Sequence, residues 1–247
     1  MSEVHNSSPM PYVIAVTGHR DLRPQDIEAL RREIRNVFVA IRSRMPAKPL
    51  LLLTALAEGA DQLVAEVALE QGIAIAAVLP MPLDIYSAQM EQEAQTALAK
   101  LLTRSEVRIA LPLQGRTPEQ IRASSAERAA CYEALALYLV RHAQALIALW
   151  NGKHSDKLGG TCRVVHSARF DATNPGAPPA GSRCEVVYHI VTPRLSGPEP
   201  SPGIATVTLD SKRIHSATAP NTPPLPSGEQ VHITHANIDL NLDSLRN

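Results

Sequence analysis

Short apolar runs rich in β-branched residues alternate with amphipathic stretches along the first 150 residues of the chain. Residues 12–16 have the character of a strand buried on both faces, and the turn residues Thr17 and Gly18 follow them. Apolar residues then recur at three- and four-residue spacing from Ile27 to Ile41, which indicates an amphipathic helix. Because parallel neighbours need crossover connections, the alternation predicts an α/β fold, a doubly wound, mostly parallel sheet with helices on both faces.

The alternation continues through the rest of this region. It predicts further strands at residues 49–54, 73–79, 107–111 and 145–150, and further helices at residues 58–70, 88–102 and 123–140. A chain of 247 residues that is 45% hydrophobic is long enough for one well-buried core with additional material. We therefore expect a single Rossmann-like ligand-binding domain at residues 11–192.

The C-terminal part of the chain differs in composition, because eleven of the twenty prolines lie beyond residue 170. Proline removes a backbone donor, so this part does not continue the α/β core. Three strand-like pieces remain between the prolines, at residues 184–192, 204–209 and 231–238, and the first of them is expected to add an edge strand to the sheet. Residues 193–247 are predicted to form a Pro-rich extension or linker with short strands.

Charge and aromatic content argue against a nucleic-acid partner. The 24 Lys and Arg residues balance 24 Asp and Glu residues, and only 3% of residues are aromatic. A groove for single-stranded DNA needs basic and stacking side chains, so this function is disfavoured.

Other patterns exclude several kinds of site. Cys131, Cys162 and Cys184 form no CxxC pair, which favours reduced thiols in a cytoplasmic protein. The first ten residues have no signal-peptide pattern, and Arg141 interrupts the longest apolar stretch, so no membrane span is expected. His232 and His235 would lie on opposite faces of a strand. No metal site is predicted, and no catalytic triad is visible.

The loops that follow the strands are the expected site, because open α/β sheets bind ligands at the carboxyl ends of their strands. In the first loop, Gly18 permits close backbone approach, and His19 follows it. Arg20 can form paired hydrogen bonds with a phosphate or a carboxylate. The second loop contains Glu58, Gly59 and Asp61 at the start of a helix. The two acidic residues either cap that helix or accept hydrogen bonds from ribose hydroxyls.

Two later loops complete this edge of the sheet. The Pro-rich loop at residues 79–82 is stiff, and turn or core packing is favoured over a wall for a base. Trp150 ends the fifth strand, where stacking on a base and filling the sheet edge are equally compatible with the pattern. Gly159, Gly160 and Thr161 then open a short helix, an arrangement that exposes consecutive N–H groups to a phosphate.

These segments together resemble the SLOG superfamily, which includes the LOG cytokinin-activating enzymes, the DNA-processing protein DprA, and ligand-sensing domains of TRPM channels and of bacterial conflict systems. The resemblance is carried by residues 14–22 (IAVTGHRDL), 52–65 (LLTALAEGADQLVA), 73–82 and 146–161 (LIALWNGKHSDKLGGT). It is greatest for the bacterial conflict-system branch. It implies a nucleotide-derived ligand, a homo-oligomer and an effector domain or partner protein, with the ligand bound by Gly18, His19, Arg20, Glu58, Gly59, Asp61, Gly159, Gly160 and Thr161.

One departure bears on activity. LOG-type enzymes read G-G-x-G-T-x-x-E with a catalytic glutamate, whereas this chain continues from Thr161 to Val164 with no acid. We therefore expect binding or sensing of an NAD-like, ADP-ribose-like or signalling nucleotide, with no certain cofactor. An N-glycosidase or nucleotide hydrolase using Glu58 or Asp61 is the alternative, and DprA-like binding of single-stranded DNA is a third.

Overall fold

The computed structural model describes residues 10–153, 160–169, 184–197 and 206–210. Its strands are β1 (Tyr12–Gly18), β2 (Leu50–Thr54), β3 (Ala74–Leu79), β4 (Val107–Ala110), β5 (Ala145–Trp150), β6 (Val186–Val191) and β7 (Thr206–Asp210). Its helices are α1 (Ile27–Arg44), α2 (Ala60–Glu70), α3 (Leu83–Ser87), α4 (Gln92–Arg104), α5 (Pro118–Ala123), α6 (Ser125–His142) and α7 (Thr161–Arg169), with a 3-10 turn at Pro24–Asp26. None of the helices in these ranges is long and apolar enough to cross a membrane.

The sheet has the order β4-β3-β2-β1-β5-β6-β7. The first six strands are parallel, and β7 pairs antiparallel with β6. The chain moves outward from β1 to β4 in one direction and then returns to place β5 on the other side of β1. The strand order therefore reverses between β1 and β5, which is where open α/β sheets hold their ligands.

Helices cover both faces of this sheet. Helix α2 packs on α1 and α4, whereas α6 packs on α7. Right-handed crossovers that run in opposite directions along a sheet place their helices on opposite faces, which explains the two groups. The predicted fold class is confirmed.

Strand burial follows the position in the sheet. Val13, Ile14, Ala15 and Val16 in central β1 are all at most 3% exposed, as expected for a parallel strand with helices on both sides. Edge strand β4 instead alternates buried and exposed residues. A continuous apolar run thus identifies an inner strand, and alternation identifies the outer one.

Some expected boundaries were wrong. The predicted helix at residues 88–102 is preceded by a separate short helix, α3, and begins only at Gln92. The predicted helix at residues 123–140 corresponds to α6, which begins at Ser125. A separate short helix, α5, precedes it, because Thr117 and Gln120 form a capping box there. Ser124 ends α5 in an extended conformation and its side chain caps α6.

Two of the three strand-like pieces predicted in the C-terminal part belong to the sheet. The piece predicted at residues 184–192 is β6, which joins the sheet beside β5, and the piece at 204–209 corresponds to β7. The piece at 231–238 lies outside the described residues. The boundary between 11–192 and 193–247 stays a prediction, although β7 belongs to the same sheet.

The chain that follows β6 is fastened to the first loop. Arg194 Nε donates to both carboxylate oxygens of Asp21, at 2.9 and 3.1 Å, and the Ser196 hydroxyl donates to the same carboxylate at 2.5 Å. Burial raises the pKa of Asp21, but these hydrogen bonds outweigh it and lower the pKa to about 2. Asp21 is therefore ionised at neutral pH and holds Arg194 at the carboxyl edge of the sheet.

Candidate functional site

A cleft of about 770 Å³ opens at the carboxyl ends of the central strands. Its volume lies within the range of roughly 300–1,000 Å³ that is common for small-molecule sites. Six of the predicted ligand-binding residues line it, namely Gly18, His19, Arg20, Asp61, Gly160 and Thr161. The loops after β1, β2 and β5 thus meet at one cleft, where the strand order reverses.

His19 joins the three loops through its backbone and side chain. Its N–H donates to the carbonyl of Leu149 at 3.0 Å, and its carbonyl accepts from Ala60 N–H at 3.0 Å. Its Nε2 accepts from the backbone N–H of Asn151 at 3.0 Å. Because a backbone N–H can only donate, the imidazole is neutral and carries its proton on Nδ1. His19 therefore fixes the ends of β1 and β5 against the start of α2.

Glycine is required where these loops touch. A Cβ at Gly18 would lie 2.3 Å from Ala60 Cβ and 2.8 Å from the Leu149 carbonyl oxygen. Gly59 has a φ of 83°, and a Cβ there would lie 2.3 Å from the carbonyl oxygen of Arg20. The absence of side chains at these two positions lets the first and second loops pack backbone to backbone.

Neither Glu58 nor Asp61 caps helix α2, in contrast to one of the two interpretations of the sequence. Gly59 is the N-cap residue, and no side chain caps the helix. Glu58 is half-buried and is not among the residues that line the cleft. Asp61 lies in the first helical turn and lines the cleft, with only 6% of its surface exposed. Of the two acidic residues, only Asp61 lines the cleft.

Burial controls the acidity of Asp61. It raises the pKa of this carboxyl to about 7, although the backbone of Ala57 and Ala55, the Arg20 charge and the Thr54 hydroxyl all favour the ionised form. The Thr54 hydroxyl lies 3.4 Å from Oδ2. Asp61 therefore exchanges a proton near neutral pH, which is the property of a general acid or base.

Arg20 crosses the cleft toward α6. Its Nη2 donates to the Tyr132 hydroxyl at 2.9 Å, and the guanidinium carbon lies 5.5 Å from the centroid of the Tyr132 ring. The same hydroxyl donates to Gln89 Oε1 at 3.3 Å. The hydroxyl of Tyr86, which also lines the cleft, donates to the Ala55 carbonyl at 3.1 Å. The position of Arg20 is thus set by residues far from it in sequence.

The fourth predicted loop is described in part. Gly160 and Thr161 line the cleft where α7 begins, and Gly159 lies outside the described residues. The first N–H groups of a helix have no partner within it, so this helix end can accept an anion. Trp150 also lines the cleft, and its Nε1–H donates to the Lys153 carbonyl at 3.1 Å. Its ring lies 5.3 Å from that of His189 and is almost fully buried, so it fills the end of the sheet, and stacking on a base stays a prediction.

Several residues of the cleft carried no local sequence signal. They are Tyr86, Gln89, Arg128, Tyr132, Lys153 and Arg194. Most reach the cleft from elements that are distant in sequence, since Arg20 and Tyr132 are 112 positions apart. The Pro-rich loop at 79–82 instead packs inward, with Met81 only 3% exposed, and the helix after it supplies Tyr86. Long-range contacts therefore account for the missed residues.

Comparison with known proteins gives one solved structure of note. No known protein family and no curated protein matches the chain. DNA processing protein A (DprA) from Streptococcus pneumoniae is similar at 20% sequence identity and a TM-score of 0.40. The match covers 64% of this chain and 47% of that chain, so this chain spans about half the length of its neighbour. DprA is among the proteins of the superfamily that the sequence resembles, and membership of that superfamily stays a prediction.

Proposed function

We propose that the cleft binds a nucleotide-derived small molecule of the NAD, ADP-ribose or signalling-nucleotide kind, and that binding controls a linked effector in bacterial signalling or defence. The observation that carries the binding proposal is the convergence of Arg20, Asp61 and the α7 start at Thr161 in one cleft. The effector and a homo-oligomeric state rest on the sequence resemblance.

The charge of the cleft suits a phosphate. Four cationic side chains line it, Arg20, Arg128, Lys153 and Arg194, of which Arg194 is paired with Asp21. Asp61 is the one carboxyl on its described surface. Charge-assisted hydrogen bonds from guanidinium groups to phosphate oxygens are among the stronger polar contacts in proteins. Because the pKa of Asp61 is raised to about 7, its carboxyl opposes an anion only weakly below neutral pH.

Aromatic side chains also line the cleft. The chain has two Phe, one Trp and five Tyr, and Tyr86, Tyr132 and Trp150 all line this one cleft. Tyr86 and Trp150 are almost fully buried, so the half-buried ring of Tyr132, beside Arg20, is the aromatic surface among them that a flat base can contact. The pairing of this ring with cationic side chains favours a nucleotide over an inorganic anion.

Arg20→Ala tests the binding proposal by isothermal calorimetry with NAD, ADP-ribose and nucleoside mono- and bisphosphates. We expect at least one of these compounds to bind the unaltered chain. The variant should bind it about tenfold or more weakly, because a charge-assisted hydrogen bond contributes roughly 1.5–3 kcal/mol.

Arg32→Ala is the matched control, since Arg32 is an exposed arginine on α1 that pairs with Glu33 and does not line the cleft. Equal affinity in the Arg20 variant and the unaltered chain would contradict the proposal. Binding of a labelled single-stranded oligonucleotide at moderate salt, with no binding of any nucleotide, would replace it with a DNA-binding function.

Hydrolysis of the same ligand is the second candidate, and Asp61 is the observation that favours it. With a nucleoside monophosphate, a protonated Asp61 can donate its proton to the leaving base while water adds to the ribose carbon and returns a proton to the carboxylate, so that one C–N bond breaks and one C–O bond forms. With NAD, nicotinamide leaves as a neutral base, and an ionised Asp61 can accept the proton of the water. A buried carboxyl with a pKa of about 7 retains such a proton near neutral pH.

Incubation with NAD and nucleoside monophosphates, followed by chromatography, tests this activity. We expect free base to appear with the unaltered chain, to disappear with Asp61→Asn, and to persist with Glu58→Gln, because only Asp61 lines the cleft. Intact substrate after long exposure to the unaltered chain would rule out the enzyme and leave the binding function in place.

A further inference from the structure

The four cations of the cleft fall into two groups on opposite sides of β1. Lys153 and Arg194 follow β5 and β6, beside the start of α7. Arg20 and Arg128 lie on the other side, where Arg20 packs against the loop of Gly59 and Arg128 contacts the end of α5. Strand order separates the groups, since β2 and β5 flank β1 on opposite sides.

The second group is built as a fixed pair of positive charges. Arg128 Nη1 donates to the carbonyls of Ile121 and Arg122, at 3.0 and 2.9 Å, which holds the guanidinium at the C-terminal end of α5. Tyr132 lies one helical turn after Arg128 on α6 and holds Arg20 through its hydroxyl at 2.9 Å. Both guanidiniums are therefore oriented by neutral oxygen atoms before any ligand binds.

This pair differs in charge balance from Arg194. The Asp21 carboxylate neutralises Arg194 at 2.9 Å. Within the described ranges, neither Arg20 nor Arg128 has a carboxylate oxygen within salt-bridge distance. Two oriented guanidiniums with no carboxylate within salt-bridge distance give this wall of the cleft a positive potential, which an anion would relieve. The Asp61 carboxyl, which interacts electrostatically with Arg20, offsets this potential only in part, because burial favours its neutral form.

We propose that Arg20, Arg128 and Tyr132 form a second anion-binding subsite, so that the ligand carries two anionic groups, one here and one at the start of α7. This inference rests on the proposed function, because it concerns the same cleft. Adjacent strands lie about 4.8 Å apart, so subsites on either side of β1 are separated by roughly 5–10 Å. Phosphates on the 3′ and 5′ positions of one ribose have a separation of this order.

The test compares adenosine and guanosine 5′-monophosphates with their 3′,5′-bisphosphates by calorimetry on the full chain. We expect the better bisphosphate to bind about tenfold or more tightly than its monophosphate, as one added charge-assisted contact predicts. Arg128→Gln should reduce this ratio to less than about threefold, because it should weaken binding of the bisphosphate more than binding of the monophosphate. Arg128→Lys keeps the charge and should retain most of the ratio.

Arg122→Gln is the matched control. Arg122 is close in sequence and exposed, but it pairs with Asp84 at 2.6 Å and does not line the cleft, so its loss should not change the ratio. Thermal melting of each variant establishes that it is folded. If Arg128→Gln is unfolded, the Arg128→Lys variant alone tests the second subsite. A bisphosphate-to-monophosphate affinity ratio below about threefold in the folded Lys variant would overturn the proposal, because that variant keeps the charge.

The failures of the two proposals are distinguishable. Equal affinity for mono- and bisphosphates, or an equal loss for both in Arg128→Gln, overturns the second subsite and leaves nucleotide binding intact. If neither the monophosphate nor the bisphosphate binds, the second subsite is overturned. Binding of NAD and ADP-ribose then tests the proposed function separately.

Discussion

Gly59→Ala is expected to remove about 4 kcal/mol or more from the free energy of unfolding, or to prevent folding. A Cβ at Gly59 would lie 2.3 Å from the Arg20 carbonyl oxygen and 2.7 Å from the Arg20 carbonyl carbon. Overpacking costs about 1–3 kcal/mol in typical cores, and a strained backbone conformation adds about 1–3 kcal/mol. Both apply here, because the backbone of a loop cannot rotate away as a side chain can. Urea denaturation followed by circular dichroism measures the loss.

Gly72→Ala supplies the matched control. Gly72 also has a positive φ, of 66°, at the other end of the same helix, but a Cβ there would meet nothing within 4 Å. Only the conformational strain remains, so its loss should be about 1–2 kcal/mol. Equal destabilisation by the two variants would show that the first and second loops are not packed backbone to backbone.

Asp61→Asn is expected to abolish a fall in stability that the unaltered chain shows between about pH 4 and pH 7. The folded-state pKa of Asp61 is raised to about 7 from an ordinary value of 3.8. In that window the folded chain binds a proton that the unfolded chain has released, so stability decreases as pH rises. The upper limit of the decrease is on the order of 4 kcal/mol, at about 1.4 kcal/mol for each pKa unit. Above pH 7 this contribution is constant.

Urea midpoints of both chains at a series of pH values measure this effect. An asparagine side chain cannot ionise, so the variant should be less pH-dependent between pH 4 and pH 7 and more stable relative to the unaltered chain at pH 8 than at pH 4. Glu58→Gln serves as the comparison, because Glu58 is close in sequence but lies outside the cleft. A parallel pH dependence in the Asp61 variant and the unaltered chain would show that the carboxyl is hydrated in solution.

The fold was predictable because its signals are local. A strand buried on both faces requires a continuous apolar run, and residues 12–16 and 145–150 provide it. The start of α5 also has a local signal, because Thr117 and Gln120 have the spacing of a capping box, but this helix was missed from the sequence beside the longer helical pattern of α6.

The cleft was predictable only where glycines and strand ends mark it. Gly18 and Gly160 could be located from turn chemistry, whereas Arg128 and Tyr132 sit on a helix whose sequence does not indicate which side faces the sheet edge. The role of His19 depends on a contact with Asn151, 132 positions away, and such a contact exists only once the chain has folded. Pairings of that kind are set by topology and not by local composition.

The three hydrogen bonds of His19 have a consequence for how a ligand would arrive. Since one residue already ties Leu149, Ala60 and Asn151 together, the first loop and the start of α2 require little ordering at the moment of association. Preorganised surfaces lose less conformational entropy when they are occupied, and their association rate is not limited by a folding step. Recognition by the first and second loops is therefore closer to docking on a rigid template than to coupled folding and binding.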